Sequence, residues 1–526
     1  MVATTPQVRV YDMIAFGDEV PGILALVCAA REYRQRHHRY PRSLLMFKGN
    51  SRDGVGGHLV RGGLSYLDRS HVPPEIRRAQ GLDTFGDPAA IYKEFLKRSE
   101  VKQIALGPRL ADSALRAMLQ EAQVSFLSNI EIESVKVDRD RLHCIRLTNG
   151  DTYQAQQFID ATVNAELAQF AGVPKYPGFG VMGLPEAELS VTLTFETEGL
   201  SIDKLKRTEL HYLHRFADVQ DAEAQSWLNT AAGSNAAMVT HLRQSLRNAS
   251  GQLSAMHVGL DYIDIPTKAL SIAYHAFRGT TLDLRRSAAM LDNGNIARLS
   301  GGRLSWNALL FDVNAAAAEA LARGKAKPTA AMLAEMRQVE RWFVENLGAT
   351  AVRPAKELYI RHAGNVMAVN QPLSGAAMLA GGVPAAEAFG TFGYHFDVRG
   401  GIAGLGSRAI AKGLKELSPL HPPLFNIGMQ HALVKTVRNL AVISPASGFD
   451  GYACSAGRII EFNVAVAQGV GIAAAIALSQ NRLLADISNL EVCQVLDKRG
   501  LRSRVYGRSN TVAAVQLNDF ERQMVA

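Results

Sequence analysis

The amino-terminal segment constrains this chain more than any other. Residues 8–16 form a mostly apolar run that ends at Gly17, and from Gly22 onward Ile23, Leu24, Leu26, Val27 and Ala30 fall at helical spacing. That pattern predicts a strand, a tight turn and a helix. A second short apolar run at 43–47 predicts a second strand, so the segment reads as the opening of a βαβ unit and a parallel sheet. Between helix and strand lie Arg31, Arg34, Arg36, Arg39 and Arg42 with His37 and His38, and residues 31–42 are expected to form an exposed basic loop.

The alternation continues downstream. Helical spacing over 87–97 and 110–122 is followed by strand-like runs at 124–127, 130–137, 142–147 and 157–159, with the Asn149-Gly150 pair predicting a hairpin turn. From about residue 178 the texture changes to a strand near 189–196, a polar helical stretch near 202–250 and an alanine-rich helix at 315–322, which reads as an inserted second domain. Near the end, a strand at 440–443 leads into a long helix at 458–478 that must pack back on the first domain, with a peripheral tail beyond Gly500. A chain of 526 residues is expected to make two or three domains.

Net charge of +8 admits an anionic partner, but no aromatic stacking series, RNA-binding signature or zinc-finger spacing accompanies the basic cluster, so no nucleic-acid partner is expected. The four cysteines, Cys28, Cys144, Cys454 and Cys493, are too widely spaced for a CxxC motif and read as buried thiols. Residues 1–10 lack a secretory pattern, and the apolar stretch 464–478 is shorter than a bilayer span, so a cytoplasmic protein with no membrane span is expected.

A fold that binds a dinucleotide sets the pyrophosphate at the N-terminus of its first helix, where free amides and the helix dipole favour negative charge. Three glycines serve that turn; here Gly17 and Gly22 hold the first and third places and Glu19 the second. On four segments the sequence resembles the FAD-dependent oxidoreductases of the glutathione-reductase-like fold: residues 11–31, the glycine-rich loop 54–63, Phe158-Ile159-Asp160-Ala161-Thr162 running on to Pro174, and residues 438–500. The resemblance implies an α/β fold: a Rossmann-like FAD/NAD(P)-binding domain with a parallel sheet, plus an inserted α+β second domain. Residues 1–177 and 431–500 would form the first domain, 178–430 a substrate or cap domain, and 501–526 the tail. It further implies FAD contacts at Gly17, Glu19, Gly22, Lys48, Gly56, Gly57, His58, Thr162, Gly469, Gly471 and Ile472, the last three from a final helix directed at the flavin.

Three departures from the family converge on the cofactor. Glu19 brings a carboxylate towards the pyrophosphate, Lys48 replaces the acidic residue that accepts from a ribose, and Val163-Asn164 replaces Gly-Asp. Glu19 and Lys48 are expected to be neighbours and to form an ion pair across the adenosine site. For catalysis, the resemblance places Arg361 beside the substrate cavity, where a guanidinium orients a carboxylate; a structural salt bridge is equally open. Tyr394, His395, Asp397 and Arg399 supply a proton donor, a base and an anion clamp, and period-two spacing would align His395, Asp397 and Arg399 on one strand face. A polar strand edge explains them nearly as well. Two functions follow: an FAD-dependent oxidoreductase moving a hydride or electron pair between flavin and a small organic substrate, or an altered, flavin-free paralogue that serves as a binding or assembly protein. Oligomeric state is not legible.

Overall fold

A computed structural model describes residues 7–83, 85–398, 411–413 and 422–526. Five short strands form a parallel sheet: β1 Met13–Phe16, β2 Ser43–Met46, β3 Val124–Leu127, β4 Gln157–Asp160 and β5 Leu440–Val442, in the order β5-β4-β1-β2-β3. The chain leaves β1 for β2 on one side and returns as β4 on the other, so the carboxyl end of β1 lies at the point where strand order reverses, the usual crevice for a ligand. The first apolar run divides in two. Val8–Val10 pairs instead with Thr152–Gln154, in a second small sheet completed by the antiparallel strands Ile132–Asp138 and Arg141–Leu147, the latter joined to Thr152–Gln154 through the Asn149-Gly150 turn.

Helix α1, Val20–His37, and helix α2, Ile460–Gln480, cover one face of the parallel sheet. Both are apolar nearly all round, as sandwiched helices must be. They approach closely because Gly471 lacks a side chain: a Cβ there would lie 2.4 Å from the Ala25 carbonyl oxygen. By length and composition α2 is long enough to cross a membrane, unlike the shorter stretch read from sequence, and 89% of its most apolar window is buried inside the fold. Cys28, Cys454 and Cys493 are buried free thiols, as expected, and Cys144 is half-buried.

The second sheet is antiparallel and six-stranded, in the order His257–Val258, Tyr262–Asp264, Ala289–Arg298, Leu304–Phe311, Val191–Glu198, Ala351–Pro354. Its own core gathers Phe195, Trp306, Trp342 and Phe343 under the helices Ile202–Ala217, Ala269–Arg278 and Ala330–Trp342.

Three expectations need correction. Residues 31–37 are not loop: α1 continues to His37, its closing arginines sit near the negative end of the helix dipole, and Arg31 binds Glu94 with both nitrogens at 2.6 and 2.9 Å. The tail is not peripheral. Its helix, Thr511–Val525, buries Leu517 and Met524, and Glu521 accepts the Tyr452 amide at 2.8 Å. Residues 394–398 are not strand, because the strand Thr391–Gly393 ends before them; Arg399 lies outside the described residues.

Candidate functional site

The turn after β1 has the backbone of an anion site. Gly17 has φ 97°, and a Cβ there would meet the Ala161 carbonyl carbon at 2.5 Å; at Gly22 it would meet the Ala161 side chain at 2.2 Å. These two glycines let α1 press against the end of β4, and α1 begins without a side-chain cap. Opposite it, the loop through Gly56 and Gly57, with φ of 130° and 50°, points three successive amides inwards.

Those amides are already taken. The Gly56 and Gly57 N–H groups donate to Asp18 Oδ2 at 3.0 and 3.4 Å, and the His58 N–H donates to Glu19 Oε1 at 3.2 Å. Asp18 also binds the Arg61 guanidinium through both oxygens, and Arg61 reaches on to Glu357 at 2.9 Å. Burial alone would raise the Asp18 carboxyl, but Arg61 and the two amides outweigh it and hold the group below its ordinary range. Glu19 pairs with His58 Nδ1, and its carboxylate lies against Gly57, where a Cβ would come within 2.2 Å of Oε1. His58 stacks on Tyr359 with ring centres 5.0 Å apart, leaving Nε2 buried without a partner.

At the end of β2 the side chains are tied up in the same manner. Lys48 does not pair with Glu19, contrary to the expectation. It binds Glu166 at 3.0 Å, Glu131 at 3.1 Å and the Arg323 carbonyl at 2.6 Å, so the end of the helix Ala315–Arg323 comes down over β2. Burial raises the Glu166 carboxyl more than Lys48 lowers it. The Thr162 hydroxyl donates to Asp160 at 2.6 Å and accepts the Glu166 amide at 2.7 Å. Asn164, at the altered Gly-Asp position, donates to Glu319 at 3.0 Å. Gly469, Gly471 and Ile472 lie in mid-helix: the Phe389 ring fills the open side of Gly469, Ala25 that of Gly471, and Ile472 is buried. The helix α2 begins only at Ile460, after an extended Ile459 and without a side-chain cap.

FAD carries two phosphates, and as the side chains lie here two carboxylates compete with them. Asp18 and Glu19 saturate the amides of the 56–58 loop that faces α1, while the N-terminus of α1 itself carries no side-chain cap. Two carboxylates in a dry site repel the group they replace, and the ribose position holds a cation tied to two acids.

The catalytic candidates separate. Arg361 is buried, donates to the Ser190 carbonyl at 2.8 Å and lies 4.6 Å over the Tyr359 ring. His395 and Asp397 join a group that sequence reasoning had not assembled: His395 Nδ1 meets His71 Nδ1 at 2.9 Å, and Asp397 accepts from Arg458 at 2.6 Å beside Tyr394. Burial, reinforced by His395, lowers His71 to about 4, so it is neutral at pH 7. A lone arginine in the apolar run Ala456-Gly457-Arg458-Ile459-Ile460 was the available signal for Arg458.

A large cleft lies elsewhere. It encloses about 1320 Å3 between the loops 52–63 and 99–112 on one wall and the antiparallel sheet on the other, and neither Glu19, Lys48, Arg361 nor His395 lines it.

Among solved structures, the chain is similar to the halogenase PltM, with 11% identity, 90% of this chain and 70% of that one covered, and TM-score 0.36. It is also similar to the myxobacterial chondrochloren halogenase CndH, with 11% identity, coverage of 94% and 79%, and TM-score 0.36. A third is a geranylgeranyl bacteriochlorophyll reductase-like protein from Thermoplasma acidophilum, with 9% identity, coverage of 98% and 90%, and TM-score 0.36. Likeness at this level bears on neither substrate nor chemistry. No curated protein sequence matches the chain. A family profile does, over residues 50–497, beginning just past Lys48 and the Gly17–Gly22 turn. That match covers most of the sequence, and the chain belongs to the FAD dependent oxidoreductase family, whose cofactor is FAD.

Proposed function

We propose that this member of the FAD dependent oxidoreductase family keeps the family scaffold as a binding or assembly protein, with its dinucleotide site held shut by its own side chains. The observation that carries this reading is the saturation of the Gly56, Gly57 and His58 amides by Asp18 and Glu19. A helix N-terminus facing a glycine-rich loop is built to receive an anion, and here the chain supplies that anion itself.

A second reading keeps the family's chemistry: FAD-dependent transfer of a hydride or electron pair to or from a small organic substrate. It is supported by the family match and by buried polar atoms without partners, His58 Nε2, Ser190 Oγ, Thr192 Oγ1 and Arg458 Nε, which a bound group would satisfy. It requires the Glu19 carboxylate to leave His58 and Gly57.

The visible spectrum of the full chain, as purified and after incubation with FAD and removal of excess, separates the two. The first reading expects no flavin absorption in either sample. A stoichiometric flavin spectrum as purified supports the second.

A further inference from the structure

We propose that the cleft between the parallel-sheet domain and the antiparallel sheet binds a small organic molecule carrying phosphate. The lining holds eight lysines and arginines against five carboxylates. Most of the acids are spent. Asp53 pairs with Lys356, Glu196 with Arg303 and Asp112 with Arg116, while Asp261 accepts the Gln103 and Ile104 amides at 2.8 and 3.0 Å. Arg61 is consumed by Asp18 and Glu357, and Arg353 by Glu198.

What remains is lopsided. Among the described residues, Arg52, Lys102 and Arg109 form no salt bridge, and the Arg298 guanidinium meets only the carbonyls of Gly259 and Leu260, at 2.9 and 3.2 Å. Glu100 is the one lining carboxylate left without a counter-charge or amide donor among those residues. Four cations on two walls suit a group with more than one negative charge, which a phosphate has and a carboxylate has not. Two further features point the same way. Ser99 lines the cleft, and its buried hydroxyl has no partner among the described residues. Gly107 opens the helix Pro108–Glu121 into the cleft without a side-chain cap, leaving amides and the positive dipole end free. Val60, Phe195 and Leu304 give an apolar floor for an organic body, and the volume exceeds that of ordinary ligand pockets, about 300–1,000 Å3.

The proposal stands whether or not the dinucleotide site is shut, because the two share no expected cofactor contact. Titration calorimetry of the full chain with ADP, inorganic pyrophosphate and adenosine tests it. ADP should bind saturably, pyrophosphate more weakly and adenosine not at all, with affinity falling as salt rises. Lys102→Ser with Arg109→Ser should weaken ADP about tenfold. Both side chains are exposed, so the melting temperature should hold; if it does not, Arg52→Ser supplies an independent variant on another segment. Pyrophosphate binding without any gain from the nucleoside would assign the cleft to free phosphate groups alone and overturn the organic ligand. No saturable binding of ADP or pyrophosphate, or an ADP affinity unchanged in the variants, overturns the site.

Discussion

The turn after β1 with its facing glycine loop, and the cleft beside the antiparallel sheet, both hold amides and cations that suit an anion, and they differ in what the chain itself sets against them. At the first, Asp18 and Glu19 fill the amide cradle, Arg61 neutralises Asp18, and Lys48 is bound by Glu131 and Glu166. At the second, acids and bases are out of balance and several cations face open space. Arg61 touches both, lining the cleft while holding Asp18. The difference teaches that an anion-binding backbone does not by itself establish an anion ligand. Each donor has to be followed to its acceptor before the site is called open.

The largest effect is expected at Asp18. Asp18→Ala leaves the buried Arg61 with Glu357 as its one remaining carboxylate and leaves two amides unpaired, which should cost about 3 kcal/mol in urea unfolding. A cost below about 1 kcal/mol would mean that the carboxylate is not what holds this locus together.

Acidification separates the regions next. Asp18 has a lowered pKa, so its contribution is fully present above the unfolded-state value and is lost only as pH falls through the lower folded value. The lock should therefore stay charged at pH 5. His431 and His275 behave oppositely to a carboxylate lock: burial lowers them to about 3 and about 4, so below the unfolded value near 6.5 the unfolded chain takes up protons that the native state refuses. Stability should fall by about 2 kcal/mol for each between pH 6.5 and 5. Loss of that decline in His431→Gln and His275→Gln would assign it to them, whereas a decline abolished by Asp18→Asn would place it in the lock.

The smallest effect is expected outside both regions. Arg31 ties α1 to the helix Ala90–Arg98 and is about one-third exposed, so Arg31→Ser should cost about 1 kcal/mol or less. A larger loss would mean that the framework behind the lock depends on this surface pair.

Much of the architecture was legible because it follows from local chemistry: the helical spacing after Gly22 and the Asn149-Gly150 turn stand as read, and the apolar run before Gly17 supplies β1 from its second half. The arginines of 31–37 misled, since their charge suggested a loop although arginine is a good helix former and α1 simply continues. The site was legible only in part. Glu19 and Lys48 were visibly out of place, but their partners, His58 and the pair Glu131 and Glu166, come from segments that only the fold brings together. Asp18 gave no warning at all, because a residue between two turn positions carries no signal until Arg61 folds over it. The same holds for the tail, where Leu517 and Met524 look like any amphipathic helix until their pocket exists.

Titration with FAD, comparing the full chain with the Glu19→Gly, Lys48→Glu double variant by flavin fluorescence, tests the closed site most directly. The double change removes the carboxylate from the pyrophosphate position and supplies a ribose acceptor. The unaltered chain should show no saturable binding, and the variant should gain it. Tight stoichiometric binding by the unaltered chain, undiminished by Glu19, would contradict the account.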